Sequence, residues 1–185
     1  MTGLQNVTFA YGDTPVLDNF TLTLPARSAV CLFGASGCGK TTVLHLLAGL
    51  LAPQVGAVHT RAVSMVFQED RLLPWLTALE NVQVILPAAQ RDTAAQWLEA
   101  VDLADAKDMY PAAMSGGMRR RVAIARALAK GGDMLLLDEP FNGLDAEVRA
   151  VCAKALRARF DNGIIVLVSH SKEDAALLQA EIVSL

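Results

Sequence analysis

Residues 34–42, Gly34-Ala35-Ser36-Gly37-Cys38-Gly39-Lys40-Thr41-Thr42, fit the pattern G-x-x-x-x-G-K-[ST]. Each residue type has a physical reason to be there. The glycines permit backbone angles that turn successive N–H groups inward, so the loop becomes a concave anion nest at the start of a helix. Lys40 brings a compact positive charge to the β- and γ-phosphates of a nucleotide, and the Thr41 hydroxyl is a ligand for Mg²⁺. A plain glycine turn with a solvated lysine is the ordinary alternative. It does not explain why an apolar strand precedes the loop and a helical pattern follows it. The segment reads as a nucleotide phosphate site.

A second cluster lies at Asp138-Glu139, where the apolar run Met134–Leu137 ends in two acids. Mg²⁺ on a nucleotide takes carboxylate or water oxygens in its remaining positions, which suits Asp138. Glu139 is then the candidate general base for an attacking water. Alone, such acids are common solvated loop residues; in the same sheet as a phosphate loop they gather where strands end. His170 follows the strand Ile164–Val168 after one serine and is a candidate hydrogen-bond donor to the γ-phosphate. Gln68 follows the strand Val63–Phe67 and offers a neutral oxygen to the metal or the water, and Tyr11 offers a ring for a base to stack on. His45 and His59 are read as structural. Ser115 caps a helix that opens with Gly116, Gly117 and Met118, a second set of exposed N–H donors for phosphate.

These side chains need a scaffold, and the pattern supplies one. Val7–Tyr11 and Phe20–Leu24 alternate as strands do, and Ser28–Phe33 is apolar throughout, as in a strand buried on both faces. Helical spacing appears over Lys40–Leu50, Thr77–Leu86, Asp92–Leu103 and Gly116–Lys130, the last stopping at Gly131-Gly132. Strand and helix then alternate: Met134–Leu137, Asp145–Phe160, Ile164–Val168, Ser171–Ala180, Ile182–Leu185. Such alternation predicts an α/β fold with a mostly parallel sheet flanked by helices, a small N-terminal β portion and an inserted helical lobe.

Composition agrees. At 185 residues, one domain is expected. Hydrophobic residues at 53% and charged residues at 19% exclude a disordered chain. No apolar run approaches the roughly 18 residues of a membrane span. The net charge of −3 offers no footprint for nucleic acid. Three cysteines cannot all pair internally, and no basic-then-apolar leader opens the chain, so a reduced cytoplasmic setting is expected.

The order of these motifs resembles the ATP-binding subunit of ABC transporters. Met114-Ser-Gly-Gly-Met118, with the helix through Leu128, is similar to the family's signature motif; Asn142-Gly-Leu-Asp145 is similar to its D-loop. The resemblance covers nearly the whole chain. It implies a P-loop NTPase fold over a single domain, residues 1–185: a core of 1–68 and 116–185 including the N-terminal β portion, with a helical subdomain at 69–115. It implies ATP and Mg²⁺ as cofactors, with Tyr11 on the adenine, residues 34–42 on the phosphates, and Thr41, Gln68 and Asp138 around the metal. Lys40, Gln68, Glu139 and His170 would serve catalysis, and Ser115–Met118 would face the nucleotide of a second copy. The implied partners are that second copy, a transmembrane permease and an extracytoplasmic solute-binding protein, with the chain at the cytoplasmic face of the membrane. Residues 67–82 and Met118 are similar to the nitrate, sulfonate and taurine importers. Leu72-Leu-Pro-Trp-Leu76 is the expected permease contact.

Departures stand beside the matches. Met118 replaces the usual glutamine and lacks its amide hydrogen bonds, and Met114 replaces leucine. The stretch near residues 58–61 is shorter than the family's usual hairpin. An ABC-type ATPase acting on DNA or ribosomes shares the motifs. The DNA-acting kind carries a long coiled coil for which residues 68–115 leave no room, and the ribosome-acting kind carries two such domains. A P-loop kinase leaves Ser115–Met118 and His170 without a role.

Overall fold

The computed structural model describes residues 2–185, which pack as two compact units. The first comprises residues 2–65, 132–138 and 160–185. In it, β1 (Thr2–Tyr11) pairs antiparallel with β2 (Thr14–Leu24) on one side and β4 (Val55–His59) on the other. A second sheet runs in the order β5 (Val63–Val66), β6 (Met134–Asp138), β7 (Ile164–Val168), β3 (Ala29–Phe33), β8 (Glu181–Ser184). β7 lies parallel to both β6 and β3, and β3 is parallel to β8. β6 and β7 are buried at every residue, which is why their sequences, MLLLD and IIVLV, do not alternate.

Helix α1 (Lys40–Leu47) joins the two sheets through one core. Leu4, Val7 and Leu22 of the antiparallel sheet meet Val43, Leu44 and Leu47 of α1, and alternate residues of the parallel strands, Val30, Leu32, Leu136 and Val166, complete the cluster. The loop after β3 therefore emerges from strand and helix that are both anchored in close-packed apolar contacts.

The second unit comprises residues 66–131 and 139–159. Its helices are α2 (Ala78–Gln83), α3 (Ala94–Glu99), α4 (Gly116–Lys130) and α5 (Ala146–Arg159), with 3-10 segments at Ala88–Thr93, Ala104–Ala106 and Pro111–Ala113. α2 starts in a capping box: the Glu80 amide donates to the Thr77 hydroxyl at 3.3 Å, and the Thr77 amide donates to the Glu80 carboxylate at 2.8 Å. α2, α3 and α4 contact one another, and Val122, Ile124 and Leu128 of α4, Leu98 of α3 and Val82 of α2 are each fully buried.

Several expectations change. The helix expected over Lys40–Leu50 ends at Leu47, as α1. β4 was not anticipated. Gly56, its second residue, interrupts the strand pattern, yet only glycine fits, since a Cβ there would lie 2.4 Å from the carbonyl oxygens of Gln5 and Asn6 on β1. The helix expected over Asp92–Leu103 is a 3-10 turn followed by the short α3, and its end is fixed by Asp102, which turns left-handed at φ 57°. α2 also ends early, at Gln83. The helix expected over Ser171–Ala180 is confined to α6 (Lys172–Leu177), because Gln179 turns left-handed at φ 52°.

Candidate nucleotide site

The loop from Gly34 to Gly39 leaves β3 and enters α1. Gly39 stands at the N-cap with φ 101°, a conformation closed to other residues at low cost, and a Cβ there would meet Val16 at 3.0 Å. The loop wraps around Lys40, which is only 6% exposed. Its ammonium donates to the Gly34 carbonyl at 2.8 Å and the Ala35 carbonyl at 2.7 Å, and lies 3.8 Å from the Cys38 sulfur. Ala35, Ser36 and Gly37 are exposed at the rim. A cation is thus held within a loop of backbone at a helix N-terminus, the arrangement that attracts phosphate.

One residue on, the Thr41 hydroxyl donates to Asp138 Oδ2 at 2.9 Å. Asp138 is the last residue of β6 and is 2% exposed. A hydroxyl and a carboxylate side by side form a hard-oxygen pair, and the fit to Mg²⁺ rests on that chemistry. His170 stands exposed beyond the end of β7, in a turn fixed on both sides. The buried Ser169 hydroxyl donates to Asp174 at 2.6 Å and accepts from the Ser171 amide at 3.0 Å. Tyr11 ends β1 half exposed, its ring edge-on to Phe9 at a centroid distance of 4.9 Å.

The other sequence-derived residues belong to the second unit. Glu139 follows Asp138 directly and adopts φ 48°. A non-glycine residue in this region costs on the order of 1 kcal/mol, which the surrounding structure must offset. Ser115 caps α4, accepting from the Met118 amide at 3.2 Å, with Ser115 and Gly116 exposed. Gly117 is tucked against the D-loop, where a Cβ would lie 3.4 Å from the Gly143 carbonyl. Asp145 of that loop accepts from the Val148 amide at 2.9 Å and so caps α5. Gln68 is exposed, as a residue reaching for solvent or ligand must be.

The structure thus brings Lys40, Thr41 and Asp138 together in one unit, with Tyr11 and His170 on strand ends of the same unit. Gln68, Glu139 and Ser115–Met118 lie in the other. Sequence reasoning assigned no role to the arginines that follow the signature. Arg119 donates to the Met114 carbonyl at 2.8 Å, Arg120 reaches the backbone of Phe67 and Gln68, and Arg121 donates to the Val101 carbonyl at 3.2 Å. Three consecutive cations on a helix that buries Arg120 were the available signal, since a buried guanidinium demands partners.

Comparison with known proteins follows the same lines. The profile of the ABC transporter family matches residues 17–142. The aliphatic sulfonates import ATP-binding protein SsuB 1 of Paracoccus denitrificans is 41% identical over 188 residues, covering 98% of this chain and 78% of that protein. The corresponding protein of Burkholderia ambifaria is 41% identical, and the chain spans 58% of its length; for that of Yersinia pestis the values are 40% and 69%. Among solved structures, the dimeric post-hydrolysis state of the ATP-binding cassette MJ0796 bound to ADP and Pi superposes with a TM-score of 0.89 at 29% identity, covering 100% of this chain and 94% of that one. A bacterial Atm1-family ABC exporter with ATP bound gives 0.88 at 26% identity, covering 99% and 36%. With its phosphate loop, its Thr41–Asp138 pair and its signature helix in place, this chain belongs to the ABC transporter family, as an ATP-binding subunit.

Proposed function

We propose that the chain hydrolyses ATP to drive an importer of small organic sulfonates, working as a pair of identical subunits beneath a membrane-embedded permease. The observation that carries the ATPase reading is the Thr41–Asp138 hydrogen bond beside the enclosed Lys40. The solute reading rests on the SsuB relatives, whose names specify aliphatic sulfonates. Among the described residues no helix is long and apolar enough to cross a membrane; in this reading a separate permease carries the solute. An extracytoplasmic solute-binding protein completes the proposed system, and the subunit sits at the cytoplasmic face.

In this mechanism Lys40 and the N–H groups of residues 34–42 hold the phosphates, and Tyr11 stacks against the adenine. Thr41 and Asp138 would hold Mg²⁺, with Gln68 as a third oxygen. When bound, the metal neutralises charge on the phosphates and polarises the γ-phosphoryl group. Glu139 orients the attacking water and takes its proton as the bond to the β,γ-bridging oxygen breaks, giving ADP and phosphate. His170 donates to the γ-phosphate. Ser115, Gly116, Gly117 and Met118 face the nucleotide of the second copy, so each site is shared between chains.

The permease contact is assigned to the loop at residues 72–76. Asn81 is fully buried and ties that loop to the start of α2: its oxygen accepts from the Leu73 amide at 2.8 Å, and its nitrogen donates to the carbonyls of Leu73, Leu76 and the α2 N-cap Thr77 at 2.9 to 3.1 Å. Trp75 is presented at 69% exposure. A rigid loop offering an exposed indole suits an anchoring role.

The test is ATP hydrolysis by the purified chain and its Lys40→Ala variant, followed by reconstitution with a sulfonate permease that copurifies with it. Abolished hydrolysis in Lys40→Ala, with sulfonate-stimulated ATPase in the assembled system, supports the reading. Wild-type turnover in Lys40→Ala overturns the site. Stimulation by a different solute class overturns the solute assignment alone.

A further inference from the structure

Arg120 is a buried cation of the second unit. It is 7% exposed, and each of its three guanidinium nitrogens has a partner in residues 67–70. Nη1 donates to the Phe67 carbonyl at 2.6 Å, Nη2 donates to the Gln68 carbonyl, and Nε pairs with Asp70 at 3.2 Å. Neighbouring groups strengthen the same attachment. Arg126 donates to the Arg71 carbonyl at 2.7 Å, and the Arg71 guanidinium lies over the Phe67 ring at 4.0 Å. The backbone of Gln68 is therefore fixed to α4 while its side chain stays exposed.

We infer that Arg120 is a positioning residue for Gln68. Its three guanidinium nitrogens are spent on residues 67–70, so it acts through Gln68. Its planar fork sets two successive carbonyls at once, which fixes where the Gln68 amide starts and in which direction it points. A lysine keeps the charge but is a point donor on a flexible stem, so it cannot hold both carbonyls in register. Arg120 lies two residues beyond Met118, so the helix that carries the cradle at its start also holds the Gln68 backbone. The inference rests on the reading of Gln68 as a ligand to metal or water.

The test is a double-mutant cycle on the full chain with Arg120→Lys, Gln68→Ala and the pair, read by ATP turnover and by hydrogen–deuterium exchange of the amides at residues 67–71. Arg120→Lys is expected to lower kcat roughly tenfold to a hundredfold, the scale of a misplaced catalytic group, with KM for ATP within about twofold. Exchange at 67–71 should quicken, and in the Gln68→Ala background Arg120→Lys should cost nothing further. Wild-type kcat in Arg120→Lys overturns the inference, as do additive losses in the pair, which would place its effect elsewhere. Wild-type kcat in Gln68→Ala overturns instead the reading of Gln68 on which it rests. If Arg120→Lys does not fold, Asp70→Asn carries the same cycle: it removes one arm of the clamp and should give a smaller loss of kcat that again vanishes without Gln68.

Discussion

Thr41 and Asp138 lie 97 residues apart in the sequence, and a 2.9 Å hydrogen bond joins them. Two strands of one parallel sheet make this contact: β3 delivers the loop that carries Thr41, and β6 ends on Asp138. The relationship explains why the sequence spacing of the two motifs carries no information while their strand positions do. Asp138→Asn keeps the volume and a hydrogen-bonding group but removes the charge. It should leave Mg²⁺-free ATP binding within about threefold and depress Mg²⁺-dependent hydrolysis by at least about a hundredfold. A Mg²⁺ titration of ATPase activity checks this, and an unchanged half-saturation point would remove Asp138 from the metal.

Glu139→Gln should retain ATP binding and slow hydrolysis by at least about a hundredfold, since the amide cannot take the proton of the attacking water. Bound ATP then persists, and light scattering with ATP and Mg²⁺ should register more dimer than for the wild type. Normal turnover in a monomeric variant would transfer the role to another residue.

The three cysteines should separate by reactivity. Cys38 is part-exposed in the phosphate loop, whereas Cys31 and Cys152 are fully buried. Burial pushes the Cys152 thiol up to about 12; Arg121 pulls the other way and Asp102 adds to the rise. Because the folded value lies above the unfolded one, this thiol's contribution to stability is complete below about pH 9 and is lost as pH rises toward 12. At pH 8, a thiol reagent should therefore modify one cysteine quickly, ATP should slow that reaction, and denaturant should release the other two. Mass spectrometry of the first adduct locates it; modification at Cys152 before Cys38 would contradict the packing.

Trp75→Ala should leave the melting temperature within about 2 °C, because a side chain 69% exposed gives up little burial, while recovery of the permease by affinity purification falls. Undiminished recovery would move the docking surface elsewhere.

Much of this was legible in the sequence where local chemistry is strong. The helix expected over Gly116–Lys130 has those bounds, because Ser115 caps one end and Gly131, at φ 59°, stops the other. β7 was equally plain, since five consecutive β-branched and leucine residues need burial on both faces. What stayed hidden depends on distant partners. Val55–His59 becomes a strand because Gly56 lets it approach β1, about fifty residues earlier. Asp92–Leu103 has helical spacing, but left-handed Asp102 ends α3 early. Of the site, the residue types and their motifs were visible. The hold of Arg120 on Phe67 and Gln68 was not, because that contact spans more than fifty residues and involves main-chain oxygens that no side-chain pattern records.

In the proposed mechanism each ATP site is built from two chains, with Lys40 supplied by one and Ser115 by the other. Lys40→Ala breaks the loop a subunit uses on its own nucleotide, and Ser115→Arg fills the cradle it presents to its partner. Either variant alone forms dimers with two defective sites. In a mixed dimer one site carries both defects and the other carries neither. Mixing the two inactive proteins with the permease should restore ATPase activity to at most about a quarter of wild type, under random pairing and independent sites. Activity restored on mixing, from two proteins that are each inactive, is the predicted result. Full activity in Ser115→Arg alone, or no recovery in mixtures where a crosslink between differently tagged chains proves exchange, would contradict it.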